Sequence, residues 1–276
     1  MNLCRNATLE ELEHILGWAA NEGWNPGLGD PEAFYKADPN GFFVAVDREN
    51  QPIASVSVVN HTAEFAFLGL YIVKPEHRGQ GVGHALWTHA LAHAGDRTIG
   101  LDGVEAQQDN YRVSGFVHAG GTTRFAGKVT GQRQDDVRPA TPDDIQRLVL
   151  MEGQLSGVVK PDYLTAWFSR TGTRLTLVLE DDGQIAGCVT VRACRSGAKI
   201  GPLIANDSSA AQKLLSHAGT VFDGPYMIDV PETAIGLTHL CQRLGFEPGF
   251  RTARMYRGKA PSSRPDVFAV TSLELG

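Results

Sequence analysis

Three glycines at alternate positions, Gly79, Gly81 and Gly83, follow Arg78 in a stretch that passes from an apolar β pattern, Leu68 to Val73, through Pro75 into a helical repeat of Val82, Leu86, Ala90 and Leu91. Strand, glycine turn and helix start together form an anion site. The first amides of a helix lack intrahelical partners, the helix dipole adds positive potential, and glycine lets a pyrophosphate approach the backbone. The spacing is not the G-x-G-x-x-G of a dinucleotide fold, and no G-x-x-x-x-G-K-[ST] occurs for a nucleoside triphosphate.

What remains, Arg78-x-x-Gly81-x-Gly83 after Tyr71-Ile72-Val73-x-Pro75, resembles the acetyl-CoA loop of the GNAT superfamily of N-acetyltransferases. Tyr111-Arg112-Val113-Ser114-Gly115-Phe116 is similar to the Tyr-x-x-x-Gly-Phe that members carry after their fifth strand. The resemblance implies acetyl-CoA as co-substrate, held by Tyr71, Ile72, Val73, Arg78, Gly79, Gln80, Gly81, Val82, Gly83 and His84, with Asn110 facing them. It also implies direct attack by an amine on the thioester. A backbone N–H near Ile72 or Val73 would meet the oxyanion, and Tyr111 would be the general acid toward sulfur.

A proton acceptor is harder to assign. Glu64, at the start of the central strand, is one candidate; Glu22, Asp30, Asp102, Glu105 or a water chain are alternatives. The asparagine usual in the family seven residues before the tyrosine is replaced by Val104, and Gln107 or Gln108 are the residues placed to compensate. Glu22, Trp24, Asn25 and Asp30 fall in the segment that borders the acceptor pocket of GNAT folds. Two carboxylates and an indole suit an ammonium-bearing acceptor by charge and cation–π contact. The competing reading is a non-catalytic acyl-CoA binding or sensing protein, which would need the cradle but not Tyr111.

The elements that must position these residues can be read in order. Thr8 with Glu11 forms a capping box for a helix over Leu9 to Ala20, and Glu22 to Asp30 is a Gly/Pro loop. A short helix from Pro31 to Ala37, with Asp30 as its cap, precedes a hairpin of Gly41–Val46 and Pro52–Val59. Then come the strand from Glu64 to Val73, the glycine loop and helix, a strand at Thr98–Leu101, a short helix through Tyr111 ended by Gly115, and a closing strand from Val117 to Phe125.

The second half repeats this order. Arg138 to Ile145 restates Arg5 to Leu12, Ile185-Ala186-Gly187 restates Ile53-Ala54-Ser55, and Arg254 follows Gly245-Phe246 at the spacing by which Arg124 follows Gly115-Phe116. A tandem duplication accounts for all three. In the second copy Ile200 to Ala211 lacks the arginine and the glycine triplet, and Cys241 stands in place of the tyrosine, so that copy is expected to bind no CoA; Asp207 or Ser208 would cap its helix instead.

The expected fold class is therefore α/β of the α+β type: two tandem GNAT-like domains, each a mixed, mostly antiparallel sheet flanked by helices. The expected boundaries are 1–130 for the catalytic domain, 137–258 for the degenerate one and 259–276 for a C-terminal tail. The length of 276 residues and 42% hydrophobic content suit two packed cores.

A formal charge of −6 disfavours nucleic acid and anionic membranes, and residues 1–133 carry 15 Asp/Glu against 10 Lys/Arg, a field that favours a cationic partner such as an amine. No apolar run reaches membrane-spanning length and no signal-peptide h-region begins the chain, which points to the cytoplasm. Cys4, Cys188, Cys194 and Cys241 are scattered, and His89 and His93 lack a third ligand, so no metal is expected. The expected partner is a small-molecule amine; a homodimer stays open.

Overall fold

The computed structural model describes residues 3–262 and 268–276; residues 1–2 of the first expected domain and 263–267 of the expected tail lie outside the described residues. The first half runs β1 (Leu3–Asn6), α1 (Leu9–Asn21), α2 (Asp30–Ala37), β2 (Phe42–Val46), β3 (Pro52–Asn60), β4 (Phe65–Val73), α3 (Val82–Ala94), β5 (Thr98–Val104), α4 (Gln108–Val113) and β6 (Val117–Gly127). The second half follows the same order with β7 (Val137–Pro139), α5 (Ile145–Ser156), α6 (Pro161–Phe168), β8 (Arg174–Asp181), β9 (Gln184–Ala193), β10 (Ala198–Ala205), α7 (Ser208–Ala218), β11 (Tyr226–Pro231), α8 (Ile235–Arg243) and β12 (Glu247–Arg257). A short β13 (Phe268–Ala269) comes last.

The duplication is written in the caps as well as the order. Thr8 and Glu11 form the capping box of α1, and Arg5 holds the same glutamate at 2.7 Å. Thr141 and Asp144 repeat the box, with Arg138 on Asp144 at 2.7 Å. Each arginine ties the first strand of its half to the first helix, which fixes the angle at which the chain enters the domain.

Among the described residues all strands belong to one sheet, in the order β1-β2-β3-β4-β5-β12-β6-β11-β10-β9-β8-β7, with β13 on β10. The expectation that Val117 to Phe125 closes its own half is therefore corrected. β6 does not pair with β5; it lies between β11 and β12, while β12 of the second half takes the place beside β5. The exchange is chemically reciprocal. Arg124 of β6 makes a bidentate pair with Asp229 of β11 at 2.7 and 2.9 Å, and Arg254 of β12 makes the same pair with Asp102 of β5 at 2.9 and 2.7 Å. Each arginine thus carries its strand into the other copy.

Helices complete the junction. Phe34 of α2 stacks on Trp167 of α6 with ring centroids 6.0 Å apart, and Arg174 and Arg192 lie over the same indole at 4.7 and 4.5 Å. Between these two cations sits Asp30, fully buried and 3.5 Å from each. Asp30 is not the cap of α2, as expected from sequence, but its first residue. Gly29 is the N-cap, and the Asp30 carboxylate accepts from the Gly27 amide at 2.8 Å.

Residues 268–276 are no loose tail. Val270, Thr271, Ser272 and Leu275 are buried, and the segment runs between the two halves. β13 pairs with β10 where β10 has parted from β11, whose parallel register ends at Ile200 opposite Ile228. Two glycines at equivalent places make the passage possible. A Cβ on Gly69 of β4 would fall on the Glu274 carbonyl, and one on Gly201 of β10 would lie 2.5 Å from that of Val270.

Candidate active site

β4 and β5 run parallel only from Phe65–Thr98 to Leu68–Leu101. Beyond Leu68, β4 bulges: Leu70 and Tyr71 together oppose Val56 of β3, and Leu70 takes φ 49°. Ser55 Oγ steadies the bulge by donating to the Leu70 carbonyl at 2.8 Å. The two strands part, and the β5-facing edge of β4 is left open above the start of α3.

The glycine loop closes one end of this opening. Gly79 and Gly81 adopt φ 75° and 77°, and Gly81 is the N-cap of α3, so no side chain caps the first amides of that helix. Gly83 is needed for space: a Cβ there would lie 2.5 Å from the Tyr71 hydroxyl and 2.9 Å from Val73 Cγ2. Arg78 braces the loop, with Nε donating to the Val73 carbonyl at 2.8 Å and Nη2 to Glu22 at 2.7 Å.

An outer cleft of about 480 Å³ results. Tyr71, Ile72 and Val73 of β4 line it, as do Arg78, Gly79, Gly81, Val82, Gly83 and His84 of the loop and helix start. Asn110 faces them from α4, and Glu22 and Trp24 from the loop after α1. Gln80 does not line the cleft; its side-chain amide donates back to the Glu76 carbonyl at 2.8 Å. Val104 and Gln107 also border the cleft, and Asn110 donates to Gln107 at 2.8 Å.

Behind the outer cleft is an inner pocket of about 50 Å³ that shares Trp24, Tyr71, Val104 and Gln107 with it. Tyr111 forms part of its wall, stacked on Trp87 at 5.5 Å. Burial pushes the Tyr111 pKa well above that of an ordinary phenol, and Tyr71 adds to the push, so the hydroxyl stays protonated through neutral pH. Opposite elements contribute Asp102, Arg124, Phe250 and Glu274. In the sequence Arg124 stands out only as a landmark of the repeat, and Phe250 and Glu274 belong to no motif. The apolar run Phe268-Ala269-Val270 was the available signal that the chain after residue 259 is packed.

Asp102 lies in this pocket, but its carboxylate is engaged by Arg254. Burial raises its pKa against the pull of Arg254, and Asp229 and Glu274 add to the rise. The pKa of Arg254 is in turn held up by Asp102 even though burial works to lower it. Two short parallel hydrogen bonds fit the charged pair, and we read it as ionised at neutral pH.

Other sequence candidates are not brought to the site. Glu64 is exposed in the turn before β4, within 3.3 Å of Thr62 Oγ1, at the opposite end of a nine-residue strand from the glycine loop. At about 3.3 Å per residue that is nearly 30 Å away. Asp30 is locked between Arg174 and Arg192. Asn25 clamps the other half instead, donating to the Ser196 carbonyl at 2.9 Å. Trp24, by contrast, does line both spaces, and it is fixed by its own carbonyl, which accepts from Arg124 at 2.8 Å and Lys199 at 3.0 Å. His93, one of the two histidines without a third ligand, pairs with Asp38 at 2.7 Å.

The second copy has the same split between β10 and β11, and β13 lies in it. Asp207 caps α7 by accepting from the Ala210 amide at 2.9 Å, as the sequence suggested. Cys241, at the place of Tyr111, is buried. Among the described residues no group of three or more His, Cys, Asp or Glu is placed to hold a metal ion, and no helix is long and apolar enough to cross a membrane.

Comparison with known proteins finds a match in each half. The family model "Acetyltransferase (GNAT) family" matches residues 9–118, and the model "Acetyltransferase (GNAT) domain" matches residues 151–269. A holothin acyltransferase of Pseudoalteromonas sp. (strain SANK 73390) is 37% identical over 275 residues, covering 98% of this chain and 93% of that one. Among solved structures, a putative acetyltransferase from Pyrococcus horikoshii superposes with a TM-score of 0.84 at 20% identity, over 99% of this chain and 95% of that one. A tandem GNAT protein from the clavulanic acid biosynthesis pathway superposes with a TM-score of 0.61 at 16% identity, over 93% and 98%.

Proposed function

Because the chain belongs to the GNAT acetyltransferase family and is an acyltransferase built of two tandem GNAT domains, we propose that its first half takes acetyl-CoA in the outer cleft and directs the acetyl group onto a primary amine in the inner pocket. The observation that carries this reading is the wall the two spaces share, Trp24, Tyr71, Val104 and Gln107: an uncapped helix start with a glycine cradle lies on one side of it, and Tyr111 on the other. A diphosphate fits the cradle. Gly79 and Gly81 meet nothing within 4 Å where a Cβ would stand, and the helix start offers free amides and positive potential.

When bound, acetyl-CoA supplies the activated thioester. The chain's own residues do the rest. The open edge of β4 past Leu68 offers backbone N–H groups to the oxygen on which charge develops. Tyr111, kept as a phenol by burial, hands a proton toward sulfur as the thiolate leaves. Trp24, held by Arg124 and Lys199, walls the place where acceptor and thioester meet.

An inner pocket of about 50 Å³ admits an amino group and an acyl carbon but little else, which favours a small or slender acceptor. The relative at 37% identity is named for acylating holothin, and that supports a small-molecule acceptor here too. The non-catalytic alternative has no feature in its favour that acyl transfer does not also use.

The test is release of CoA thiol from acetyl-CoA with holothin and a panel of alkyl- and arylamines. Acceptor-dependent release is expected, and Tyr111→Phe should lower kcat by roughly 10²-fold. Tight acetyl-CoA binding with no release for any acceptor would establish the sensing role instead.

A further inference from the structure

The proton that an ammonium acceptor must lose needs a destination, and most carboxylates near the cleft already have partners. Glu22 is held by Arg78, Asp30 sits between two arginines, and Asp102 is held by Arg254. Glu274 differs. It is only 4% exposed, its Oε2 is buried without a hydrogen-bond partner, and it walls the inner pocket together with Tyr111.

Its position is fixed by backbone rather than by its own side chain. The Leu275 amide donates to Ser272 Oγ at 3.1 Å, and the Gly276 amide to the Ser272 carbonyl at 3.1 Å, closing a turn around it. His61 holds the Leu275 carbonyl at 2.9 Å and Lys160 that of Gly276 at 2.6 Å. Tyr163 donates to Ser272 at 3.1 Å, and the flat face of Gly69 receives the Glu274 carbonyl. A segment secured at so many points leaves the Glu274 Oε2 without a partner, on a residue that walls the inner pocket. It lies outside both residue ranges that the family models match.

We propose that Glu274 is the proton acceptor of the transfer, delivered to the first half's site by the segment that fills the second half's split. The proposal rests on the acyl-transfer reading above. The Glu274 carboxylate takes one proton from R–NH₃⁺, and the neutral nitrogen forms the C–N bond to the thioester carbon. The C–S bond breaks, and the second amine proton passes to the thiolate through the Tyr111 hydroxyl. Products are the amide and the CoA thiol, and Glu274 returns its proton to water.

The charged and titratable groups that feel Glu274 are Arg124 on β6, Arg192 on β9, Lys199 on β10, Asp102 on β5, Tyr163 on α6 and Cys194 after β9. Three of them are cations, so the competing role for Glu274 is that of a fixed counter-charge. A counter-charge and a proton acceptor differ in pH dependence.

The experiment compares wild type with Glu274→Gln, following thiol release with acetyl-CoA and an alkylamine of pKa about 10. Wild type uses the ammonium form, so kcat/KM should be flat across neutral pH up to the titration of the amine. Glu274→Gln must wait for amine that is already neutral. Its kcat/KM should rise tenfold per pH unit toward the amine pKa and lie at least roughly 10²-fold below wild type at pH 7. The acetyl-CoA dissociation constant should match that of wild type.

Parallel profiles, or a loss under about threefold, would overturn the role of Glu274 while acyl transfer stands. Wild type that turns over holothin or arylamines but no alkylamine also overturns the role of Glu274, since no ammonium proton is then handled, whereas no thiol release with any acceptor overturns the acyl-transfer reading and this proposal with it. Glu274→Asp guards against a folding defect in the glutamine variant. It should keep the wild-type shape at a lower rate, and a profile sloping like that of unassisted amine would count against the proposal.

Discussion

Asp102→Asn should cost about 3 kcal/mol of folding stability, because it strands the Arg254 guanidinium at the exchange of β12 into the first half. The Asp102 side chain is fully buried and takes two hydrogen bonds from Arg254, at 2.9 and 2.7 Å. Removing one partner of a buried ion pair costs about 3–5 kcal/mol, most of it the price of leaving the other charge unpaired. The lower end applies here, since the Arg254 side chain is 21% exposed and lies over the Phe67 ring at 5.1 Å. For a chain of this size about 3 kcal/mol corresponds to roughly 6–12 °C in Tm.

The assay is urea unfolding followed by both fluorescence and circular dichroism, so that coincident transitions license the free energies. Arg254→Met and the double variant complete a cycle. Paired groups should show a coupling of about 1.5 kcal/mol or more, with the double variant more stable than the two single losses predict. Additivity within about 0.5 kcal/mol would refute the claim that this pair fastens the exchanged strand.

Three further outcomes follow from the same geometry. Burial holds the His61 imidazole pKa down to about 3, with Lys160 adding to the effect, against an unfolded value of about 6.5. The folded protein therefore binds fewer protons below pH 6.5 than the unfolded chain, so stability is full above that pH and lost as it falls. Between 6.5 and 5 the loss is about 2 kcal/mol, roughly 4–8 °C, and His61→Gln should recover most of it when Tm is compared at pH 7 and 5. Gly69→Ala sets a Cβ against the Glu274 carbonyl, backbone that no side-chain rotation relieves; it should cost about 1–3 kcal/mol and speed proteolysis within 268–276. Gly83→Ala, whose Cβ would meet the Tyr71 hydroxyl, should weaken acetyl-CoA binding while changing Tm little, since alanine regains about 1 kcal/mol of helix propensity.

The sequence revealed the repeat and the glycine cradle because both are local. Capping residues, alternation and glycine spacing act over a few positions, and Thr8, Glu11, Gly81 and Gly115 do in the structure what their spacing suggested. Strand partners are not local. In a duplicated chain β6 and β12 carry the same alternation and the same arginine, so pattern alone cannot say which edge each strand will join. Asp102 and Asp229 are likewise interchangeable in sequence, and only the structure shows that Arg124 and Arg254 cross over. Glu274 escaped notice for a different reason. A carboxylate after a polar, Pro/Ser-bearing stretch reads as surface chain, and its burial depends on glycines some 70 and 200 positions away. Glu64 shows the limit of reading a carboxylate by its element alone: it precedes a nine-residue strand whose far end, not its start, carries the glycine loop.

The most direct test of the central claim is the stoichiometry of acetyl-CoA binding by titration calorimetry. A cradle in the first half alone, with β13 lying in the corresponding split of the second, predicts one acetyl-CoA per chain. Two per chain would contradict the assignment of that split to the protein's own segment, and no saturable binding would contradict the cradle itself.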